Sequence, residues 1–465
     1  MSAPSRRAFL FLQGPISPFF AEVAAGLRAL GHATHRINLC LGDRLFWKGP
    51  GAVDYRGRPA DWPGFVAGFL EAQGITDLVL LGEQRPYHRA AIAAAGARGI
   101  AVTVTDYGYL RPDWIVLERD GMGAESRFPR DPAAIRALAA RCEEPDLAPR
   151  FADSFRRQAA WDVLFHLASM LPLGFPRYES WLLHHPVPAY LGTAWRLLRR
   201  GAETRRAASL LEGLRAAGAG PLYCFAMQME NDYSIRAYSN FADNDAAIAL
   251  TVASFARHAP PGARLLVKVH PLDPGLKRWR RRVARIAAAE GVAGRVHLLD
   301  GALSMAPVLE ACRGVVTVNS TVGLAAIAAG RAVIPLGRAL YDIEGLGWRG
   351  GLDAFWQEAP PPDVALARAF LRAIAGCLQV RGVFYARPGL DAAVAGTVRR
   401  LHEGSVGEPK ALHEGRVGEP EVPREGSVGE AESPHEGRVG EAEAPREGRV
   451  GEPRAACAGR AGAVG

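Results

Sequence analysis

The sequence predicts an α/β protein built from two parallel-sheet units joined by a helical connector, and three observations carry that prediction. Apolar runs of strand length alternate with amphipathic helical stretches between residues 8 and 105. The same alternation returns between 222 and 336, so the pattern is duplicated rather than merely extended. Between the two lies a stretch, 131–217, that reads as mainly helical and carries three arginine pairs, Arg156-Arg157, Arg199-Arg200 and Arg205-Arg206.

In chain order, 8–13 is an apolar strand and 19–30 an amphipathic helix stopped by Gly31. Strands at 34–39, 77–81 and 100–105 follow, separated by helical stretches near 63–73 and 88–98. The second unit has strands at 222–228, 265–270, 295–299, 314–319 and 332–336, with helices at 243–258, 276–290, 305–312 and 322–329. A strand–helix–strand repeat of this kind gives a parallel sheet covered on both faces. The expected boundaries are 1–130 for the first Rossmann-like unit, 131–217 for the connector, 218–401 for the second unit and 402–465 for a tail. Ligands of such sheets bind at the carboxyl ends of the strands, so a cleft between the two units is expected.

The tail is repetitive. Five copies of an 11-residue unit begin at His402, His413, Arg424, His435 and Arg446, each with two glycines and a valine at its fifth position. That composition supports neither a helix nor a buried core, so 402–465 reads as disordered. The charge divides with it. The tail holds 8 Lys+Arg against 13 Asp+Glu, which leaves 48 against 35, a net +13, on residues 1–401. A basic body suits phosphate-bearing ligands or an anionic membrane surface.

At 465 residues, 49% hydrophobic and 22% charged, the chain is an ordinary globular protein rather than a collagen, a disordered chain or a disulfide-stapled miniature. Six scattered cysteines with no CxxC pair offer no zinc ribbon or disulfide framework, and no metal site is expected. The longest apolar stretches, 90–97 and 322–329, fall far short of the ~20 residues that cross a bilayer. Arg6 and Arg7 precede an apolar run that ends at Gln13-Gly14-Pro15, which reads as a first strand rather than a leader. The expected compartment is the cytoplasm.

Two motifs concentrate the chemistry. Lys268-Val269-His270-Pro271 ends an apolar strand, and the proline stops that strand and keeps His270 extended. A histidine so placed can donate to a phosphate or protonate a leaving group; the plain alternative is a structural loop histidine. In Asn319-Ser320-Thr321, a strand runs into hydroxyls and then into a small-residue helix. Ser320 or Thr321 can cap that helix, and its free N–H groups make an anion site. Both motifs point to one edge of one sheet. From the first unit, Gln13-Gly14, Glu83 with Arg85, and Asp106 with Tyr109 and Arg111 follow three strands. Asp106, close to Gly108, suits a carboxylate nucleophile or base, or simply a turn. No glycine-rich phosphate fingerprint supports NAD or ATP, and no resident cofactor is expected. Lys277, Arg278, Arg280, Arg281 and Arg282 surround Trp279 and suit anionic lipid headgroups or, more plainly, a solvated helix face. No motif supports nucleic acid binding.

Several of these segments together resemble the KpsS/LipB capsular polysaccharide family. They are 11–15 with Phe19-Phe20, 108–114, 268–271, 318–324 and 336–343, in matching order across 9–346. The family is similar to the KpsC Kdo transferases (Kdo is 3-deoxy-manno-octulosonic acid). The resemblance implies a GT-B-like glycosyltransferase that uses CMP-Kdo and builds a β-Kdo linker on phosphatidylglycerol at the inner face of the plasma membrane. A KpsC-like transferase and the capsule export machinery are then the implied partners. Residue by residue, His270-Pro271 and Ser320-Thr321 match motifs that hold the CMP phosphate, with Lys268 and Asn319 beside them. Arg85, Arg111, Tyr109, Gln13 and Gly14 fall to the Kdo carboxylate and acceptor. Related enzymes carry an acidic pair whose second acid is the nucleophile. Here that pair reads Asp106-Tyr107, so Asp106 or Glu83 takes the role. A non-catalytic assembly or export protein, and a transferase for another CMP-sugar acid, are the competing readings.

Overall fold

The first sheet is assembled from strands whose residues alternate between two apolar faces. The computed structural model describes residues 6–180, 182–218, 220–230 and 232–409. Its first part runs β1 (Ala8–Phe11), α1 (Phe19–Ala29), β2 (Ala33–Asn38), α2 (Leu41–Phe46), β3 (Ala52–Asp54), α3 (Trp62–Ala72), β4 (Asp77–Leu81), α4 (Pro86–Gly96), β5 (Ala101–Tyr107) and β6 (Trp114–Arg119). Phe9, Phe11 and Val79 face α1, while Leu10, Leu12, Leu78 and Leu80 face the side covered by α3 and α4. With both faces buried, period-2 alternation disappears into continuous apolar runs.

The connector is α5 (Pro132–Ala140), α6 (Phe155–Ser169) and the 31-residue α7 (Pro186–Ala216). The second part follows as β7 (Leu222–Ala226), α8 (Tyr233–Tyr238), α9 (Asn244–His258), β8 (Arg264–Lys268), α10 (Trp279–Ala289), β9 (Val296–Leu299), α11 (Met305–Ala311), β10 (Cys312–Thr317), α12 (Val322–Ala328) and β11 (Ala332–Pro335). It closes with α13 (Leu352–Glu358), α14 (Val364–Leu378), β12 (Gln379–Arg381) and α15 (Gly389–Glu403).

Both sheets have Rossmann-like order. The first reads β12-β6-β5-β4-β1-β2-β3 and the second β11-β10-β7-β8-β9. In each, the first strand lies centrally and the chain steps outward in both directions. The order therefore reverses between β1 and β4 and between β7 and β10, and such switch points open ligand crevices at the carboxyl ends. Side chains from the two switch points meet: Gln84 after β4 donates to the Tyr238 hydroxyl of α8 at 2.8 Å, and Tyr238 donates to Glu83. Two Rossmann-like sheets turned toward one cleft are the expected GT-B-like architecture.

The pairing differs from the expectation at two places. β6 runs antiparallel to β5, and β12 antiparallel to β6, so one reversed strand lies between the parallel body of the sheet and its edge strand. β12 and nearly all of α15, at 379–401, lie within the range assigned to the second unit, yet β12 belongs to the first sheet and α15 packs on α1. Gly26 of α1 meets Val398 of α15 so closely that a Cβ there would lie 2.7 Å from its methyl group. The buried carboxylate of Asp113 fastens this return by accepting from the Arg150 and Phe151 amides at 2.7 and 2.9 Å, with Arg381 at 3.2 Å.

The start of the tail is also corrected. His402 and Glu403 end α15, Gly404 caps it at φ 71°, and Val406 is buried against the first sheet's core. The His402 ring meets His32 at 2.9 Å, and the Gly404 carbonyl accepts from Arg119 at 3.0 Å. A chain reversal thus lets one small apolar residue be buried where the composition offered no core. The rest of the repeats, from 410 onward, lie outside the described residues.

Candidate active site

Second-unit groups gather after β7, β8 and β10. His270 follows β8, and its Nδ1 accepts the Leu272 amide at 3.1 Å. That bond fixes the tautomer: the neutral ring carries its proton on Nε2, as a donor. Burial, with Lys268, Arg111 and Arg196 nearby, pushes the His270 pKa down to about 4 against a pull upward from Asp232. The resting imidazole is therefore a neutral donor. Lys268 is 4% exposed, its ammonium has no hydrogen-bond partner among the described residues, and burial lowers its pKa. Pro271 is exposed at the surface of the same loop.

Asn319 joins the β7 and β10 ends. Its Oδ1 accepts from Gln228 Nε2 at 2.8 Å and Ser234 Oγ at 2.9 Å, and its Nδ2 donates to the Ser234 carbonyl at 2.8 Å. All the polar atoms of its side chain are occupied, so it positions the strand ends. The expected side-chain cap takes a local form. Ser320 Oγ accepts from the Val322 amide at 3.2 Å, whereas Thr321 occupies the N-cap position without a side-chain cap. The Ser320 carbonyl accepts from Tyr341 at 2.8 Å. Gly323 lies under that tyrosine, where a Cβ would fall 2.1 Å from the ring.

From the first unit, Glu83 is 5% exposed and its pKa is pushed up to about 7, chiefly by burial. Asp106 is likewise raised by burial, while Arg111 and Arg85 hold it down and Asp232 of the second unit raises it. Arg85 sits at the start of α4. Its neighbour His88 is fully buried on the Gly82 carbonyl at 2.8 Å, with its pKa pushed down to about 3. Arg111 is exposed, its guanidinium 5.2 Å from the Tyr107 ring centroid. The influence of Asp232 on Asp106, and of Arg111 on His270, puts a carboxylate and a cation of the first unit near a carboxylate and the imidazole of the second.

Three expected residues, and Tyr107 beside Asp106, do other work. Tyr107 lies on the face of β5 opposite Asp106, its hydroxyl meeting Tyr385 at 2.9 Å and accepting from Gln158 at 2.8 Å. Strand alternation sends this side chain into the α1 face, away from the face that carries Asp106. Gln13 is buried with its amide donating to Asp43 at 3.2 Å, and Asp43 pairs with the buried Arg36 at 3.0 Å. Gly14 gives room to Phe20, whose ring would lie 2.3 Å from a Cβ. Tyr109 is buried, donating to Glu118 and accepting from the Gly123 amide at 2.6 Å. Gln13, Gly14 and Tyr109 are thus packing and wiring rather than cleft groups.

The expected cationic surface also divides. Lys277 is clamped by Glu230, Asp243 and Asp245 at 2.7, 2.8 and 2.5 Å, which raises its pKa, and Arg282 pairs with Asp245 at 2.8 Å. Trp279 is buried and donates to Asp273 at 3.1 Å. Arg278, Arg280 and Arg281 remain exposed.

Residues 76–385 match the family described as capsule polysaccharide biosynthesis protein. The chain belongs to that family. This capsule biosynthesis family member is 30% identical over 395 residues to the capsule polysaccharide export protein KpsS of Escherichia coli, covering 82% of this chain and 97% of that one. It is 28% identical over 393 residues to the capsule polysaccharide modification protein LipB of Neisseria meningitidis serogroup B, covering 82% and 93%. Among solved structures it is similar to the beta Kdo 2,7 transferase of Thermosulfurimonas dismutans KpsC. The TM-score is 0.41 at 13% identity, over 84% of this chain and 99% of that one.

Sequence reasoning missed Gln228, Asp232, Ser234 and Tyr238 of this family member. Gln228 and Asp232 follow a strand end, the signal used elsewhere, but Tyr238 enters the cleft only through the placement of α8.

Proposed function

We propose that this protein transfers Kdo from CMP-Kdo to a phosphatidylglycerol acceptor, initiating the β-Kdo linker of a capsule chain. The observation that carries the reading is the pairing across the cleft: Tyr238 of the second unit donates to Glu83 of the first, while Asp232 of the second acts on Asp106 of the first and Arg111 of the first on His270 of the second. A phosphate held between Lys268 and His270 would give the buried ammonium its missing partner and meet the Nε2 donor, with the Ser320 and Thr321 hydroxyls beside it. The Kdo carboxylate falls to Arg85 and Arg111.

Two carboxylates with different environments can divide the work. Asp106, raised by burial but flanked by two arginines that favour its ionised form, attacks the anomeric carbon; the bond to the phosphate oxygen breaks and CMP leaves with the electron pair. The acceptor hydroxyl then attacks the same carbon, Asp106 is released, and the hydroxyl proton passes to Glu83. Two displacements retain configuration. A KpsC-like transferase and the export machinery, at the inner face of the plasma membrane, would take the product onward.

The test is purified protein with CMP-Kdo and a phosphatidylglycerol analogue, scoring CMP release and Kdo-lipid. His270→Ala is expected to lower turnover by about 10²-fold or more. Wild-type turnover in that variant removes His270 from the phosphate. Absence of both transfer and CMP release favours a non-catalytic holding role, for which Tyr107 in place of the second acid is the supporting observation. Transfer from a different CMP-sugar acid alone would change the donor but keep the site.

A further inference from the structure

We propose that α6 and the first half of α7 form a membrane-docking hairpin that seats in the interface of an anionic bilayer. Twelve of the twenty large apolar side chains exposed among the described residues lie between Phe155 and Leu198, although this stretch is a small part of the chain. Scattered exposed apolar residues are ordinary, but a contiguous patch marks an interaction surface. On α7 the exposed residues Val187, Leu191, Trp195 and Leu198 are spaced by four, four and three. At ~100° per residue they form one stripe about 80° wide. Leu191, Trp195 and Leu198 are 68%, 60% and 82% exposed. On α6, Leu164 and Leu167 are exposed one turn apart, and Leu171 is exposed just beyond the helix end.

The charge around this stripe selects the partner. Residues 155–216 hold nine arginines and four acidic residues, a net +5, and no acidic residue occurs from 180 to 202. Arg199 and Arg200 are exposed beside the stripe, with the Arg199 guanidinium 5.2 Å from the Trp195 ring centroid. Large apolar residues on one helix face, an aromatic among them and arginine at the flank, suit an interfacial helix on anionic lipid. Among the described residues no helix is long and apolar enough to cross a membrane, so the stripe would lie in the surface.

The hairpin is rigidly tied to the cleft. Gly192 lies so close to the loop after His270 that a Cβ there would sit 2.2 Å from the Pro274 carbonyl oxygen. Four residues on, Arg196 pairs with Asp273 at 3.4 Å and Asp300 at 2.5 Å. The same loop leads to exposed Leu276 and then to Arg278, Arg281 and Arg285 on the open face of α10. A bilayer under α7 would therefore run beside the candidate phosphate site, and headgroups would meet the unclamped arginines rather than Lys277. This purpose rests on the lipid-acceptor reading above, while the surface itself is argued from exposure and charge.

The test compares the full chain with Leu191→Glu/Leu198→Glu, neither residue being in the cleft. The probes are phosphatidylcholine vesicles with and without phosphatidylglycerol, sedimented at low and high salt without any CMP-Kdo. The wild type is expected to sediment with phosphatidylglycerol vesicles, and the double variant to lose binding about tenfold or more. Near-UV circular dichroism and the thermal midpoint are expected to stay unchanged. CMP release with a water-soluble acceptor is also expected to stay unchanged. Absent vesicle binding by the wild type, or equal binding by the variant, overturns the proposal. So does a change of oligomeric state on substitution, which would make the stripe a protein interface. Failure of CMP release in every form would strike the transferase reading alone, because vesicle binding is scored without it.

Discussion

Lys268 and His270 stand two residues apart at the end of β8, and burial lowers the pKa of both. An unpaired buried ammonium is destabilising, so Lys268→Met is expected to raise stability by about 1–3 kcal/mol while weakening CMP binding. Chemical denaturation and nucleotide titration read the two effects; a variant that loses stability and keeps nucleotide affinity makes Lys268 structural. Glu83 supplies a pH signature. Its carboxyl is near 7 when folded against an ordinary value of 4.5, so folding favours the protonated form. Its stabilising contribution is complete below about 4.5, declines as pH rises to about 7, and is absent above that; the full span is about 3 kcal/mol. Glu83→Gln is expected to flatten the fall in stability across this window, leaving the part due to Glu118, whose carboxyl is also pushed up to about 7 by burial. An unchanged slope would mean that Glu83 is not protonated in the folded protein.

At the scale of elements, close approach decides which motif residues are chemical. The turn after β1 looks like a ligand loop, yet Gly14 is required by the Phe20 ring of α1. Gly14→Ala is expected to lower stability by about 1–3 kcal/mol through overpacking and to leave CMP binding unchanged, measured by thermal denaturation and titration. Lost nucleotide affinity with unchanged stability would return the loop to the site. The start of α10 shows the converse. Its lysine looks available in the sequence, but Glu230, Asp243 and Asp245 come to it from the β7 end and the start of α9.

At the scale of the whole molecule, the chain's return ties the two units together. Leaving the second sheet through α14, it adds β12 and α15 to the first, and a single core cluster runs from Val116 and Phe128 to Phe370 and across to Leu266. The first tail repeat completes that return. Arg400 donates to the Ser405 and Glu408 carbonyls at 3.3 and 3.2 Å, and Val406 is buried. A chain ending at Glu403 is therefore expected to unfold at about 2 kcal/mol less than one ending at Pro409, from the lost cap and valine burial. Equal denaturation midpoints would show that the docked repeat adds nothing.

The sequence by itself determined two strand–helix alternations and the strand ends at which Glu83, Asp106, His270 and Ser320 stand. Those follow from local periodicity and from the stop signals of proline and glycine, which act within a few residues. Only the tertiary structure decided that Tyr107 turns from the cleft, that Tyr238 enters it, and that β12 joins the first sheet. It also decided that Lys277 is clamped while one face of α7 stays bare. Each depends on partners tens to hundreds of residues away, such as Val116 with Gln379 or Glu83 with Tyr238. No local pattern encodes which of many similar surfaces will meet.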